Sequence, residues 1–268
     1  MAIDMATDMM VEMTKSSAEK FTLTDLHTHI LPAVDDGADS LEEALDMLRK
    51  QKGSGIERVC LTPHFYPMHE ELDTFLARRQ QAYTALISCW EEDTMPQLRL
   101  GAEVRYSPAL LQMDLKRLTI GDSNYLLLEL PDIGVPAYIE QVLEKILSQQ
   151  ITPILAHVER CRFLRENPAR LLGLVQMGAV AQISADCLTG RTGNFAIACL
   201  KNGLAHIISS DIHSLKGRNC CLGTIATGKY TELIRWTESF ARAVWDNAPL
   251  PAFTVKPIKN GLLGYRFT

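Results

Sequence analysis

Two kinds of apolar patterning recur along the chain: short runs rich in β-branched residues, and longer stretches with the 3.6-residue period of an amphipathic helix. Seven runs read as strands, over 21–27, 57–62, 97–103, 124–129, 151–157, 180–185 and 206–210. Between them, Ser40 reads as an N-cap with Glu43 at the reciprocal capping position, and Leu41, Ala44, Leu45 and Leu48 form one stripe up to Gly53 and Gly55. A second helical pattern covers 70–92 with Leu72, Phe75, Leu76, Tyr83, Leu86 and Ile87. Shorter helices are predicted over 108–116, 136–149, 168–177 and 193–202, the first three led by proline, which the first turn tolerates. A last helix over 230–245 precedes a Pro-rich tail.

Strands that alternate with helices and are apolar almost throughout predict a parallel sheet covered by helices. Seven such units suggest a closed or nearly closed barrel. An open doubly wound sheet is the alternative, but the GxGxxG turn expected after its first strand is absent. At 268 residues the chain can form one large domain, and nothing divides it. Residues 21–268 are expected to form that single domain, with 1–20 as a flexible N-terminal extension.

Composition narrows the partners. A net charge of −5 leaves no basic footprint for nucleic acid. The Met-rich start carries Asp4, Asp8 and Glu12 and lacks the basic and apolar regions of a signal peptide, and no apolar run is long enough for membrane insertion. Seven cysteines at irregular spacings, without a CxxC pair, suggest a reducing compartment rather than a disulfide framework.

The chemistry is concentrated at the strand ends. His27 and His29 end the first run, His64 the second, Glu103 the third, Glu129 the fourth, His157 the fifth, Asp186 the sixth, and Asp211 with His213 the seventh. In a β/α barrel these ends share one face, where such folds carry their chemistry. A lone His64 would more often be a hydrogen-bonded loop residue, but Glu129 within Leu-Leu-Leu-Glu-Leu is costly to bury unless it is paired or bound to metal. Only Arg160 and Arg218 read as cationic partners for Asp36, Glu103, Glu129 and Asp211, so divalent cations are the simpler compensation. Nitrogen and oxygen ligands without thiolate suit Mn²⁺, Fe²⁺ or Zn²⁺. Asp35, Glu159 and Asp186 are candidate supports beside the site, whereas His69 and His206 read as solvated or structural.

With these positions in hand, the chain resembles the polymerase and histidinol phosphatase (PHP) superfamily, within it the manganese-dependent bacterial protein-tyrosine phosphatases of the capsule and exopolysaccharide type. The resemblance rests on Asp25-Leu26-His27-Thr28-His29-Ile30-Leu31-Pro32 with Asp35-Asp36-Gly37, Thr62-Pro63-His64, Gly101-Ala102-Glu103, Leu128-Glu129, the segment from Pro153 to Arg160, and Ser210-Asp211-Ile212-His213. It implies a distorted seven-stranded (β/α)7 TIM-like barrel, the PHP fold. It also implies three divalent metal ions, Mn²⁺ foremost. The first would be held by His27, His29, Glu103 and Asp211, the second by Glu103, Glu129 and His157, and the third by Asp36, His64 and His213.

Arg160 and Arg218 match the family's phosphate-binding arginines, and Asp211 and His213 stand with them in the catalytic set. Residues 219–223 lack the proline-containing sequence typical of the family at that place. By the resemblance, a cytoplasmic enzyme removes phosphate from a phosphotyrosine protein, the tail of a bacterial tyrosine kinase controlling polysaccharide export, through attack by a metal-bridged hydroxide. The rival within the superfamily is a phosphoesterase acting on a small monoester such as histidinol phosphate. Amidohydrolases also open with HxH but usually offer a central-strand lysine where this chain has Glu103 and Glu129. A non-catalytic barrel would have lost ligands, and all nine are present. The sequence argues against thiol catalysis, because no cysteine is followed by an arginine six positions on.

Overall fold

The computed structural model of the chain describes residues 22–89, 94–216, 222–227, 230–261 and 264–267. The expected extension over 1–20 lies outside the described residues. The architecture is α/β. β1 (Leu23–Thr28), β2 (Ile56–Leu61) and β4 (Gln97–Leu100) form one parallel sheet, and β3 (His64–Phe65), β5 (Glu103–Arg105), β6 (Tyr125–Glu129), β7 (Thr152–Leu155), β8 (Val180–Ser184) and β9 (Ile207–Ser209) form a second. All seven predicted strand runs are present. The second and third are each interrupted, at Thr62–Pro63 and at Gly101–Ala102, so that each gives two short strands. Beyond β9, the Asp211 N–H donates to the His27 carbonyl (2.9 Å) and the His29 N–H to the Ile212 carbonyl (2.9 Å), linking the last strand run to the first.

Helices pack on both faces of these sheets. In α1 (Leu41–Gly53) the Ser40 hydroxyl accepts from the Glu43 N–H at 3.2 Å while the Glu43 carboxylate accepts from Asp39 N–H at 3.1 Å, a reciprocal cap that fixes the helix start. α2 (Leu72–Ile87) is shorter than its sequence pattern, with Ile87 already exposed at its end. α3 (Ile139–Ser148), α5 (Pro168–Gln176), α6 (Gly193–Lys201) and α8 (Thr231–Trp245) fall inside their predicted spans. The short helices α4 (Arg162–Glu166) and α7 (Leu222–Ala226) were not predicted. Nor was the antiparallel hairpin of β10 (Ile258–Gly261) and β11 (Gly264–Phe267) in the tail.

The helix expected over 108–116 is instead two 3-10 turns, Pro108–Gln112 and Leu115–Leu118. Ser107 and Asp114 each accept a backbone N–H two residues ahead, Ala109 and Lys116, and Met113 between the turns is extended. Such local side-chain caps compete with a continuous helical ladder.

The two sheet faces bury different cores. Helices α1, α3, α5 and α6 pack on the larger one, whereas Leu26, Cys60, Leu127, Ile154, Val180 and Ile207, one from each of six strands, meet Phe240, Val244 and Trp245 of α8 on the other. Side chains alternate along a strand, so the face holding Tyr125 and Leu127 next presents Glu129, and the face holding Val180 presents Gln182. The same period carries Ile207 to Ser209. One face thus runs from apolar beside α8 to polar at the strand C-termini.

His206, at the opposite end from the strand termini, is buried among Trp236, Phe240 and Phe253 and accepts from the Ala181 N–H at 3.2 Å. Burial pushes its imidazole down to about 4, offset in part by a hydrogen bond to Gly203. A depressed histidine favours the neutral folded form, so its contribution is complete above the unfolded value near 6.5 and is lost as pH falls toward 4. The stability at risk is on the order of 3 kcal/mol. His206→Phe should therefore flatten the acid limb of a denaturation-midpoint-versus-pH curve; an unchanged limb would place the acid sensitivity elsewhere.

Candidate metal centre

The strand-end histidines and acids converge. His27, the fifth residue of β1, and His29, just beyond its end, bring their Nε2 atoms to 3.1 Å from each other. Oε2 of Glu103 lies 3.3 Å from His27 Nε2, 3.4 Å from His29 Nε2 and 2.9 Å from His64 Nδ1. Its other oxygen is 2.8 Å from His157 Nε2. Asp211 Oδ1 is 3.4 Å from the Nε2 atoms of both His27 and His29 and 3.5 Å from His213 Nδ1. Glu129 stands 3.9 Å from His157 Nε2 and 4.0 Å from His64 Nδ1. Asp36 lies 3.4 Å from His64 and 3.5 Å from His213. All nine residues expected to bind metal are thus in one place, and His213 stacks on His29 at 3.9 Å.

Three overlapping sets bring their donor atoms within 4.8 Å of one another: His29, Asp36, His64 and His213; His27, His29 and Glu103; and His64, Glu103 and Glu129. Each could hold a cation. The grouping differs from the expected one because His29 and His64 stand between sets.

Geometry supports the fit to cations. Glu103 Oε2, Glu129 Oε2 and His64 Nδ1 are buried without a hydrogen bond of good angle, although oppositely charged or donor groups lie close by. These three residues bring donor atoms within 4.8 Å of one another, a spacing that the ligands of one ion can share.

Backbone strain at the same places supports this. His157 and Asp211 adopt positive φ, 29° and 52°, which non-glycine residues avoid at a cost of about 1–3 kcal/mol. Both residues end a strand run, and their side chains face Glu103 (His157) and the pair His27 and His29 (Asp211).

The surrounding charges shift the titrations. Burial would raise Glu103, but His27 and the hydrogen bonds of His157, His27 and His29 hold its carboxyl well below the usual range. Asp211 is likewise held low against burial, by His27, His29 and Arg160. Against burial, Asp211, Asp35 and Glu103 raise His29 well above its usual value, and Glu103 raises His157 to about 9.

Supporting residues hold this arrangement. Asp35 accepts from His29 Nδ1 at 2.7 Å and from the His64 backbone N–H at 3.0 Å, so it orients the His29 imidazole and anchors the main chain that carries His64. Despite burial these bonds pull its carboxyl down to about 2. Glu159 is fully buried and accepts from the Ser184 N–H at 3.3 Å, and burial raises its carboxyl. Asp186 is exposed and contributes only its charge, toward Arg160. His69 is exposed, as its surroundings in sequence suggested.

Arg160 donates to Asp211 and, at 3.3 Å, to the Ser184 hydroxyl. Arg218, the other arginine expected at the mouth, lies outside the described residues.

Sequence reasoning missed two participants. Arg105 Nη1 pairs with Glu129 Oε1 at 2.7 Å, which corrects the expectation that only Arg160 and Arg218 serve the acids here. Its position two residues after Glu103 on one strand was the available signal. Gln182 Oε1 takes the His157 N–H at 2.8 Å and lies 3.2 Å from His27 Nδ1. Nothing in the sequence marks this glutamine, because its partners lie 25 and 155 residues away.

A family model for capsular polysaccharide synthesis, CpsB/CapC, matches residues 23–234. Tyrosine-protein phosphatase YwqE of Bacillus subtilis (strain 168) is 34% identical over 205 residues, 74% of this chain and 80% of that protein. Tyrosine-protein phosphatase CpsB of Streptococcus pneumoniae is 30% identical over 213 residues, 73% and 85% of the two chains. Among solved structures, a chain from the crystal structures of YwqE from Bacillus subtilis and CpsB from Streptococcus pneumoniae, described as unique metal-dependent tyrosine phosphatases, aligns with a TM-score of 0.77 and 30% identity. That alignment covers 88% of this chain and 100% of the other. An α/β fold with imidazoles and carboxylates gathered at its strand ends defines the class, and the chain belongs to the CpsB/CapC family.

The loop that carries Asp35 and Asp36 depends on Gly37. Its N–H is accepted by Asp35 at 3.1 Å, and a Cβ there would sit 1.9 Å from the His29 carbonyl oxygen. Gly37→Ala should lower stability by about 2 kcal/mol or more, read as a shift in the denaturant midpoint, because backbone rather than a flexible side chain must move. A wild-type midpoint would show that the loop does not press on His29.

Proposed function

We propose that this chain is a metal-dependent protein-tyrosine phosphatase that acts on a bacterial tyrosine kinase in the cytoplasm and so regulates capsule or exopolysaccharide synthesis. The observation that carries the reading is the set of buried, mutually close imidazoles and carboxylates around Glu103, in a family whose relatives include tyrosine-protein phosphatases. That kinship favours phosphotyrosine over a small monoester such as histidinol phosphate. Among the described residues no helix is long and apolar enough to cross a membrane.

The first cation is assigned to His27, His29, Glu103 and Asp211, the second to Glu103, Glu129 and His157, and the third to Asp36, His64 and His213, with Mn²⁺ as the expected metal. Divalent cations held by these residues would lower the pKa of water toward ~7 and would offset charge on the phosphoryl oxygens. The chain's own groups do the rest. Arg160, with its side chain 27% exposed beside Asp211, is assigned to a phosphate oxygen. Arg218 is assigned the same role from its sequence position. Asp211 stays ionised and acts as ligand and anchor, not as proton donor. His213 donates its Nδ1–H to the Asp211 carbonyl at 2.9 Å, which leaves Nε2 to face the third cation, and the departing phenolate, with a parent pKa of ~10, can take its proton from water.

The seven strand runs are read as one distorted barrel, the PHP fold, within a single domain over 21–268. The bonds between 27–29 and 211–212 support closure between the first and last strands.

Chelation should abolish turnover of p-nitrophenyl phosphate and added Mn²⁺ should restore it; turnover that survives complete chelation, with metal analysis confirming removal, would sink the reading. His157→Ala or Asp211→Ala should lower turnover about a hundredfold or more while a native-like circular dichroism spectrum persists. Alkylation of the accessible cysteines should leave the rate unchanged, whereas inactivation would point to a thiol.

A further inference from the structure

The large apolar side chains that remain exposed are unevenly distributed. Of six among the described residues, Tyr66 and Met68 follow His64, and Ile133, Val135 and Tyr138 follow Glu129; Ile87 alone lies elsewhere. Both loops therefore leave strands that deliver donor atoms to the metal centre. Ile133 is 81% exposed, Met68 73%, and Val135 and Tyr138 63% each. Isolated exposed hydrophobics are ordinary, but a group confined to two loops at a reactive mouth marks a contact surface.

The two loops meet at the site. β3 and β6, from which they leave, flank β5. Between them, Arg105 on β5 pairs with Glu129, the last residue before the second loop, at 2.7 Å. The Tyr66 ring lies 5.3 Å from that of His64. On the other side, the Tyr106 hydroxyl, one residue beyond β5, donates to the Ala137 carbonyl and ties down the second loop. The apolar rim is thus continuous with the metal centre.

Tyr138 is costly where it stands. It is the N-cap of α3, makes no side-chain cap bond, and has φ 60° and ψ 27°. Asparagine, aspartate or glycine would suit both the left-handed backbone and the cap better. A tyrosine kept at that position, mostly exposed, contributes to something other than helix stability.

We propose that this rim binds the polypeptide on either side of the phosphotyrosine, selecting substrates with apolar residues next to it. The inference rests on the phosphatase reading above. A phosphorylated tyrosine reaching Glu103 and its neighbours brings its flanking residues over Met68 on one side and Ile133, Val135 and Tyr138 on the other. The occupant is an extended peptide, because the rim consists of separated side chains on two loops and is continuous with a site that must receive a side chain on a main chain.

Two synthetic phosphotyrosyl hexapeptides, one with Leu and Val flanks and one with Ser and Gly flanks, test this beside p-nitrophenyl phosphate. Wild type should favour the apolar peptide in kcat/KM by about tenfold or more. Tyr138→Asn and the double variant Ile133→Ser with Val135→Ser should lose that preference through KM while keeping p-nitrophenyl phosphate turnover. Tyr138→Asn should also raise Tm, so its loss of preference cannot be misfolding. Equal use of both peptides by wild type, or a preference that survives in the variants, overturns the rim while leaving the phosphatase reading intact. Loss of self-association in the variants, seen by analytical ultracentrifugation with unchanged peptide kinetics, also overturns it by making the patch a subunit contact. Failure of wild type on all three substrates overturns the phosphatase reading, and this one with it.

Discussion

Glu103 is the point on which the rest of the structure turns. It is buried, its two oxygens are approached by imidazole nitrogens of His27, His29, His64 and His157, and it shares its surroundings with Asp211 and Glu129. Removing carboxylates from water costs several kcal/mol each unless opposite charge and hydrogen bonds compensate. Arg160 and Arg105 answer Asp211 and Glu129, but no guanidinium among the described salt bridges reaches Glu103. Its compensation comes from imidazoles alone, which bind either a proton or a metal ion. Such a cluster is suited to holding cations, unlike an ordinary ion-pair network.

Holding such a cluster requires the fold to work against local preference. Gly37 lets the loop press on the His29 carbonyl, and Asp35 in that loop then locks both His29 and His64. Asp211 and His157 sit in left-handed backbone at strand ends, where the turn aims their side chains inward. Beneath them, Asp25 is wholly buried and accepts from the Ser210 N–H and from Gln51 on α1, which ties the Asp211 turn to β1 and to a helix on the covered face. The apolar layer against α8 supports this from below, so the polar end is a cap on a packed core.

Much of this was legible in sequence because two signals coincide: a β-branched run sets a strand, and the polar residue that ends it sets the end of the strand. Each of the seven runs has a strand within it or within a residue of it, and the nine residues at or near their ends meet. Other features left weaker traces. Gln182 is an ordinary strand glutamine until folding brings His27 and His157 to it, and Arg105 is one arginine among many. The turns over 108–118 follow a proline-led helical period, but Ser107 and Asp114 offer the backbone closer partners than the next turn could. The hairpin after 258 lacks a long apolar run, so its own pattern carries no strand signal.

The exposed rim follows from a different constraint. A cluster suited to holding cations and receiving a phosphate must stay open to water on one side, and strand-end loops are the part of the fold free to differ without disturbing the core. Stability would fill those loops with polar residues and would place asparagine or glycine at 138. Instead they hold isoleucine, valine, methionine and tyrosine, with the tyrosine in backbone that disfavours it. The metal centre therefore accounts for the phosphate, whereas the residues that run against the preferences of their own backbone and solvent account for the chain that carries it.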